Sequence, residues 1–251
     1  MQRNREVNLH RLHEAASGTH LTASAAAKHR CKFTSENLQI SSTFESKSQV
    51  IQTGARSSAL SKAQFEEVAK ELKSCKLLPV WTSSPGDRDK TSSLRTLDKT
   101  DFFTRDLDLL LLKGEIRIAI HSAKDLPDPI HEGLKVIAIT KGLDPRDSLV
   151  LRGKLEPGMK IATSSKRREE AVKKLCAGLD FIDLRGTIEE RLATKDADGV
   201  VIAESALIRL KLTHLNRIIL DGPTHPMQGK LAIVARENDW QMQEVFNSGF
   251  S

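Results

Sequence analysis

Residues 160–210 read KIATSSKRREEAVKKLCAGLDFIDLRGTIEERLATKDADGVVIAESALIRL, and this stretch decides the fold. Apolar runs at 160–163, 181–184 and 200–203 have the length of strands, and each leads into a segment with helical spacing, 166–176, 187–194 and 204–211. Ala203, Ala206, Leu207 and Leu210 fall on one face of the last helix. A strand that is repeatedly followed by a helix rejoins its sheet through a crossover, so the sheet is mainly parallel and helices cover both of its faces.

The same alternation extends outward. Phe65, Val68, Ala69 and Leu72 predict a helix over 61–75, and residues 77–82 a strand. Phe103, Leu107, Leu110 and Leu111 mark a second helix ending at Gly114, followed by strands at 116–120 and 135–140. The turn-rich GLDPRD (142–147) reads as a hinge, with a strand at 149–151 after it. The apolar runs 217–220 and 231–235 are expected to return to the first lobe. The expected fold is therefore α/β with two lobes, residues 49–142 plus 216–240 forming the first, 143–215 the second, and 241–251 a tail. Ligands in such sheets bind beyond the strands' carboxyl ends, here in a cleft between lobes.

Composition narrows the function. The 251 residues are 39% apolar and 29% charged, with no apolar run of the ~18 residues that a membrane helix needs. Cys31, Cys75 and Cys176 show neither disulfide-framework nor C-x-x-C spacing, which fits a reducing compartment. The net charge of +6 is uneven: residues 1–48 hold seven Lys/Arg against four Asp/Glu, the rest 32 against 29. A nearly balanced body with 4% aromatics and no tyrosine argues against nucleic acid as partner. Residues 1–48, with eleven Ser/Thr and no acid between Glu14 and Glu36, read as a disordered extension. Two explanations stay open, an organellar transit peptide and a species-specific tail or misplaced start, so the expected compartment is the cytoplasm in a bacterium or a plastid or mitochondrion otherwise. His10, His13, His20, His29 and Cys31 match no metal-ligand spacing, so no metal is expected.

The chemistry gathers after the strands. TGARSSAL (53–60), HSAKDLP (121–127), ATSSKRR (162–168) and DLRG (183–186) bring Arg56, Lys124, Arg167, Arg168 and Arg185 to four strand ends, with Arg191 one helical turn further. Thr163, Ser164 and Ser165 open a helix, where hydroxyls and backbone N–H groups favour an anion. Arginine forks nearby suit carboxylate or phosphate. Because Arg167 and Arg168 oppose the helix dipole, a compensating anion is required, and the set points to a polyanionic ligand. Asp125 is the one acid among these cations, either a counter-ion to Lys124 or a group that stabilises a developing cation. Arg209, on a later helix, is expected to be an ordinary surface charge.

These segments, with FFTRDLDLLL (102–111), DPRDSLV (144–150), DLRGTIEERL (183–192) and QGKLAI (228–233), resemble the porphobilinogen deaminase (hydroxymethylbilane synthase) family over residues 50–236, most closely its short chlamydial-type branch. The resemblance implies lobes like those of type II periplasmic binding proteins, a dipyrromethane cofactor and porphobilinogen as substrate; a monomer is expected. It implies that Asp125 is catalytic and that Arg56, Arg185 and Arg191 hold substrate carboxylates. Ser58, Ser122, Lys124, Asp125, Thr163, Ser164, Ser165, Arg167, Arg168 and Gly186 correspond to residues that grip the cofactor.

The departures are specific. Thr100, Asp101, Phe102 and Phe103 stand where the family has K-G-L-F, Ala59 replaces the proline of S-P-L-A, Thr187 replaces an asparagine, and the stretch before Gln228 is shortened. With the sequence ending at Ser251, the third, cofactor-anchoring domain is expected to be absent. Cys176, read as sharing a buried helix face with Val172, is no convincing anchor, so the primer is expected to be held non-covalently. A pseudoenzyme or a polycarboxylate-binding protein with the same cleft is the rival reading.

Overall fold

Ile51, Thr53, Gly54 and Ala55 are buried along β1 (Gln49–Arg56), which pairs in parallel with β2 (Cys75–Thr82) on one side and β3 (Ile118–Ser122) on the other. The structure is a computed structural model that describes residues 49–83 and 103–249. The expectations placed on residues 1–48, and on Thr100, Asp101 and Phe102, fall outside the described residues. α1 (Ala59–Glu71) links β1 to β2, and its first turn is closed by the Ser58 hydroxyl accepting the Ser61 N–H at 3.3 Å. α2 (Arg105–Leu112) leads into β3, and β4 (Leu134–Ile139) follows.

The second sheet contains β5 (Asp147–Leu151), β6 (Lys160–Ala162), α3 (Lys166–Lys173), β7 (Asp180–Ile182), α4 (Ile188–Ala193), β8 (Gly199–Ala203), α5 (Glu204–Arg209) and β9 (Arg217–Leu220). β10 (Leu231–Arg236) and α6 (Trp240–Gly249) complete the first. The strand orders are β2-β1-β3-β10-β4 and β7-β6-β8-β5-β9. In each sheet a single strand, β10 or β5, runs antiparallel to its neighbours. The two lobes thus share one plan, but the antiparallel strand comes last in the first and first in the second. The two-lobed α/β architecture expected from the alternation is the one observed.

Two expectations at the lobe boundary are corrected. Residues 217–220 do not return to the first lobe: Arg217 to Leu220 pair with Val150 to Asp147 in the second sheet. β5 leaves an open antiparallel edge there, and Ile218 and Leu220 fill the core beside Leu149 and Val201. Residues 241–249 are not a tail, because Met242 and Phe246, 0% and 1% exposed, seal the first lobe's core with Ile51, Val68 and Leu72. Burying one such side chain contributes about 1.5–3 kcal/mol. Arg117 anchors the start of α6 by a two-point ion pair to Asp239 (2.6 and 3.1 Å).

Two further readings change. α3 stops at Lys173, so Cys176 lies beyond the helix, half-buried, with its Sγ 3.3 Å from the Ala177 carbonyl oxygen. Arg209 is no surface charge: its side chain is 5% exposed and donates to Glu67 of α1 at 2.7 and 2.8 Å and to the Gly229 carbonyl at 2.9 Å. A helix of the second lobe is thereby tied to a helix of the first. Leu60 of α1 also packs into the second lobe's cluster around Leu207.

Both crossings between lobes pass through one contact. The Leu143 N–H donates to the Gly229 carbonyl at 3.1 Å, and Gly142 and Gly229 have φ of +88° and +87°. A Cβ on Gly229 would lie 2.4 Å from the Leu143 carbonyl oxygen, so glycine is required both by the dihedral and by the close approach.

Candidate active site

The carboxyl ends of β1, β3, β6 and β7 open onto one cleft of about 650 Å³. Among its lining residues are all thirteen positions expected from the sequence: Arg56, Ser58, Ser122, Lys124, Asp125, Thr163, Ser164, Ser165, Arg167, Arg168, Arg185, Gly186 and Arg191, with Asp125 expected in two roles. Six cations face three carboxylates, Asp125, Glu189 and Glu190.

Each is placed by a local device. Arg56 ends β1 with its guanidinium 5.0 Å above the Phe103 ring. Ser122 ends β3 and accepts a hydrogen bond from Gln64 Nε2 at 2.9 Å. The 3₁₀ turn Ala123–Asp125 then sets Lys124 and Asp125 side by side in the cleft wall. On the other lobe, the Thr163 hydroxyl accepts the Ser165 N–H at 3.2 Å, while the Ser164 hydroxyl donates to Asp183 and, at 3.4 Å, to the Leu184 carbonyl. The Ser164 hydroxyl is therefore committed within the protein, and Ser165 makes no side-chain capping bond of its own.

α4 starts with a capping box between Thr187 and Glu190. Gly186 sits beneath it with φ +109°, where a Cβ would lie 2.5 Å from Glu190 Oε2. Arg191 Nε donates to the Gly186 carbonyl at 2.9 Å, which fixes the guanidinium over the turn.

The expectation that Arg167 and Arg168 need an external anion is corrected. Asp147, 2% exposed in its side chain, accepts from Arg167 Nη2 at 2.7 Å and from Arg168 Nε and Nη2 at 3.0 and 2.6 Å. Burial alone would raise its carboxyl, but the charges and hydrogen bonds of Arg168 and Arg167 hold it below the usual range. Asp147 thus offsets one of the two guanidinium charges from within the protein, and a surplus of positive charge remains along the cleft.

That surplus shows in the titration of the site. Burial lowers the Lys124 ammonium from its ordinary value; Arg168 and Arg191 push the same way, against Asp125 and Asp147. Arg191 is also lowered, by burial and then by the like charges of Arg168 and Arg185. His121 is buried directly behind the Lys124 turn, pushed down to about 4 by burial and then by Arg56, and its Nε2 has no hydrogen-bond partner. It is a neutral imidazole at pH 7.

Asp147, Gln228, Phe103 and His121 were not singled out for chemistry by the sequence. Asp147 and Gln228 lie in DPRD and QGKLAI, the two crossings between lobes, and that position was the signal available. Among the described residues no thiol lines the cleft: Cys75 begins β2 and Cys176 follows α3. No His/Cys/Asp/Glu cluster able to hold a metal occurs among them, and no described helix is long and apolar enough to cross a membrane.

Residues 51–244 match the family described as porphobilinogen deaminase, dipyrromethane cofactor-binding domain. The chain belongs to the porphobilinogen deaminase family. It is 38% identical over 197 residues to a porphobilinogen deaminase of Caldicellulosiruptor saccharolyticus, covering 73% of this chain and 67% of that one. It is 37% identical over 209 residues to a probable porphobilinogen deaminase of Chlamydia pneumoniae, covering 78% and 88%. Among solved structures, lipoprotein Tp32 of Treponema pallidum aligns over 80% of this chain and 91% of its own with a TM-score of 0.48 at 13% identity. The cleft of this chain has a donor set suited to a dipyrromethane carrying several carboxylates: Arg167, Arg168 and Lys124 beside the opening of α3.

Proposed function

We propose that this chain joins four porphobilinogen molecules head to tail into hydroxymethylbilane, consuming one water and releasing four ammonia, in tetrapyrrole biosynthesis. The observation that carries the reading is the convergence of four strand ends, from two lobes, on one cleft where Asp125 sits beside Lys124 among Arg56, Arg185 and Arg191. Porphobilinogen bears an acetate and a propionate, so each added pyrrole brings two carboxylates to be matched. Arg56, Arg185 and Arg191 are the groups that match them, and their partial burial strengthens each ionic hydrogen bond.

When bound, the dipyrromethane supplies the pyrrole carbon to which the first substrate is joined. Lys124, Arg167, Arg168, Ser165 and the first-turn N–H groups of α3 would hold its carboxylates. As ammonia leaves porphobilinogen, positive charge spreads over the substrate's methylene carbon and ring nitrogen. The Asp125 carboxylate, fixed by the 3₁₀ turn, opposes that charge and accepts the pyrrole N–H. The neighbouring arginines keep the site anionophilic without supplying a second base.

Purified protein incubated with porphobilinogen tests this by the appearance of uroporphyrin after oxidation. Absence of product, with or without an added dipyrromethane primer, refutes the reading in favour of a binding protein. Intact-mass measurement of the denatured protein separates the modes of primer attachment. With no thiol on the cleft wall among the described residues, the described part of the chain is expected to carry no covalent adduct.

A further inference from the structure

Gln228 lies on the second crossing and is 3% exposed. Its Nε2 faces three acceptors: the Pro145 carbonyl at 2.6 Å, the Arg146 carbonyl at 3.4 Å and Asp147 Oδ1 at 2.9 Å. Turning the amide over would set its oxygen against all three and its NH₂ against an ammonium, so the orientation is determined by the surroundings. Gln228 Oε1 therefore faces Lys124 Nζ, at 3.4 Å. A continuous polar path runs from Lys124 on the first lobe, through Gln228 on the crossing, to Asp147 on β5, and from there to Arg167 and Arg168 on α3.

We propose that Asp147 and Gln228 are positioning residues that register the first-lobe half of the anion site, Lys124 and Asp125, against the second-lobe half, Arg167 and Arg168. The proposal rests on the cleft's being the primer and substrate site described above. Asp147 takes one face of both guanidiniums and fixes their planes. Gln228 carries that reference across the lobe boundary to the lysine next to Asp125. Neither residue reaches the reacting atoms.

A competing account makes Asp147 a plain counter-charge that shields the arginines from a ligand. The two accounts predict opposite signs for Asp147→Asn, which keeps the shape and removes the charge. Shielding alone makes the variant bind a polycarboxylate more tightly; positioning makes it bind more weakly, by about tenfold, the lower end of what losing a group that orients a ligating side chain costs. The probe is a synthetic dipyrromethane bearing two acetates and two propionates, titrated calorimetrically into the purified full chain.

The second measurement needs no ligand. The groups facing Lys124 are Asp125, Asp147, Arg168 and Arg191. Loss of the Asp147 charge, or of the Gln228 acceptor in Gln228→Met, lowers the Lys124 ammonium further. Acetylation of Lys124 by acetic anhydride at fixed pH, quantified by peptide mass spectrometry, is expected to accelerate about threefold for each half unit of pKa. Unchanged Lys124 acetylation in both variants, or dipyrromethane binding that is equal or tighter in Asp147→Asn, overturns the proposal. If Asp147→Asn does not fold, Gln228→Met carries both measurements, with weaker binding and faster acetylation expected. Failure of the wild-type chain to bind the dipyrromethane refutes the functional reading, while the acetylation series still decides the positioning role.

Discussion

Arg209→Leu tests the tie between lobes. The wild-type guanidinium makes two hydrogen bonds to Glu67 and one to the Gly229 carbonyl, all between 2.7 and 2.9 Å, with the arginine side chain 5% and the glutamate 21% exposed. Removing one partner of a fully buried pair costs about 3–5 kcal/mol because the other charge is left uncompensated. Glu67 keeps some access to water, which brings the expected loss to about 2–4 kcal/mol. In a chain with two lobes of this size that is a fall in Tm of about 5–12 °C. The double variant Glu67→Leu, Arg209→Leu removes both charges and is expected to recover at least about 1 kcal/mol relative to the sum of the single losses. Thermal and urea unfolding followed by circular dichroism measure all four corners of the cycle. A single-variant loss below about 0.5 kcal/mol, or strict additivity, refutes the assignment of Arg209 as a buried tie and restores it to the surface.

Asp125→Asn keeps the turn's shape and is expected to lower turnover by about 10²–10³, the scale of one lost preorganised electrostatic group, in a uroporphyrin assay; near-normal turnover ends its catalytic assignment. Leucine at Arg56, Arg185 or Arg191 is expected to weaken porphobilinogen binding by about 1.5–3 kcal/mol, whereas leucine at the exposed Arg152 changes nothing; equal effects at all four sites contradict the carboxylate-binding role. His121 gives a pH signature: its folded-state value of about 4 lies below the ordinary 6.5, so the unfolded chain takes up the proton first and stability falls as pH drops from about 6.5 towards 4. The full fall is about 3 kcal/mol, and His121→Leu should flatten it. Asp147 and Asp239, held low by arginines, lose their contributions at lower pH, and because wild type and His121→Leu share every carboxylate, the difference between their urea midpoints across pH 4.5–7 isolates the histidine. A slope unchanged in His121→Leu rejects the assignment.

The strand-helix alternation was legible because each element keeps its own period: every strand expected between residues 77 and 235 is present within about two residues of its expected bounds. Membership of a sheet was harder to read. Residues 217–220 are apolar enough for either lobe, and only the antiparallel arrival of β5 creates the edge they fill. Met242 and Phe246 carried a helical spacing, but nothing local marks which surface such a short amphipathic segment will cover. In the cleft, residue types at strand ends located the cations correctly. Their pairing was not legible, because Asp147 lies about twenty positions from Arg167 and Arg168 and meets them only through the fold. The same holds for Arg209, whose partner Glu67 is 142 positions away.

The contact between Gly142 and Gly229 has a mechanical corollary. Two backbones pressed together without intervening side chains define an axle, and a rigid body turning about an axle moves least where it is nearest to it. Gln228 adjoins Gly229, and the Arg209 guanidinium is bonded to the Gly229 carbonyl itself, so the polar links between lobes cluster at the pivot. Swinging the halves apart therefore widens the span between Arg56 and Arg185, on opposite walls, far sooner than it disturbs the Lys124–Gln228–Asp147 path. Under the proposed function, a growing chain of pyrroles would gain room at the mouth while its root stayed gripped, as in a pair of tongs whose rivet and inner jaws hold still.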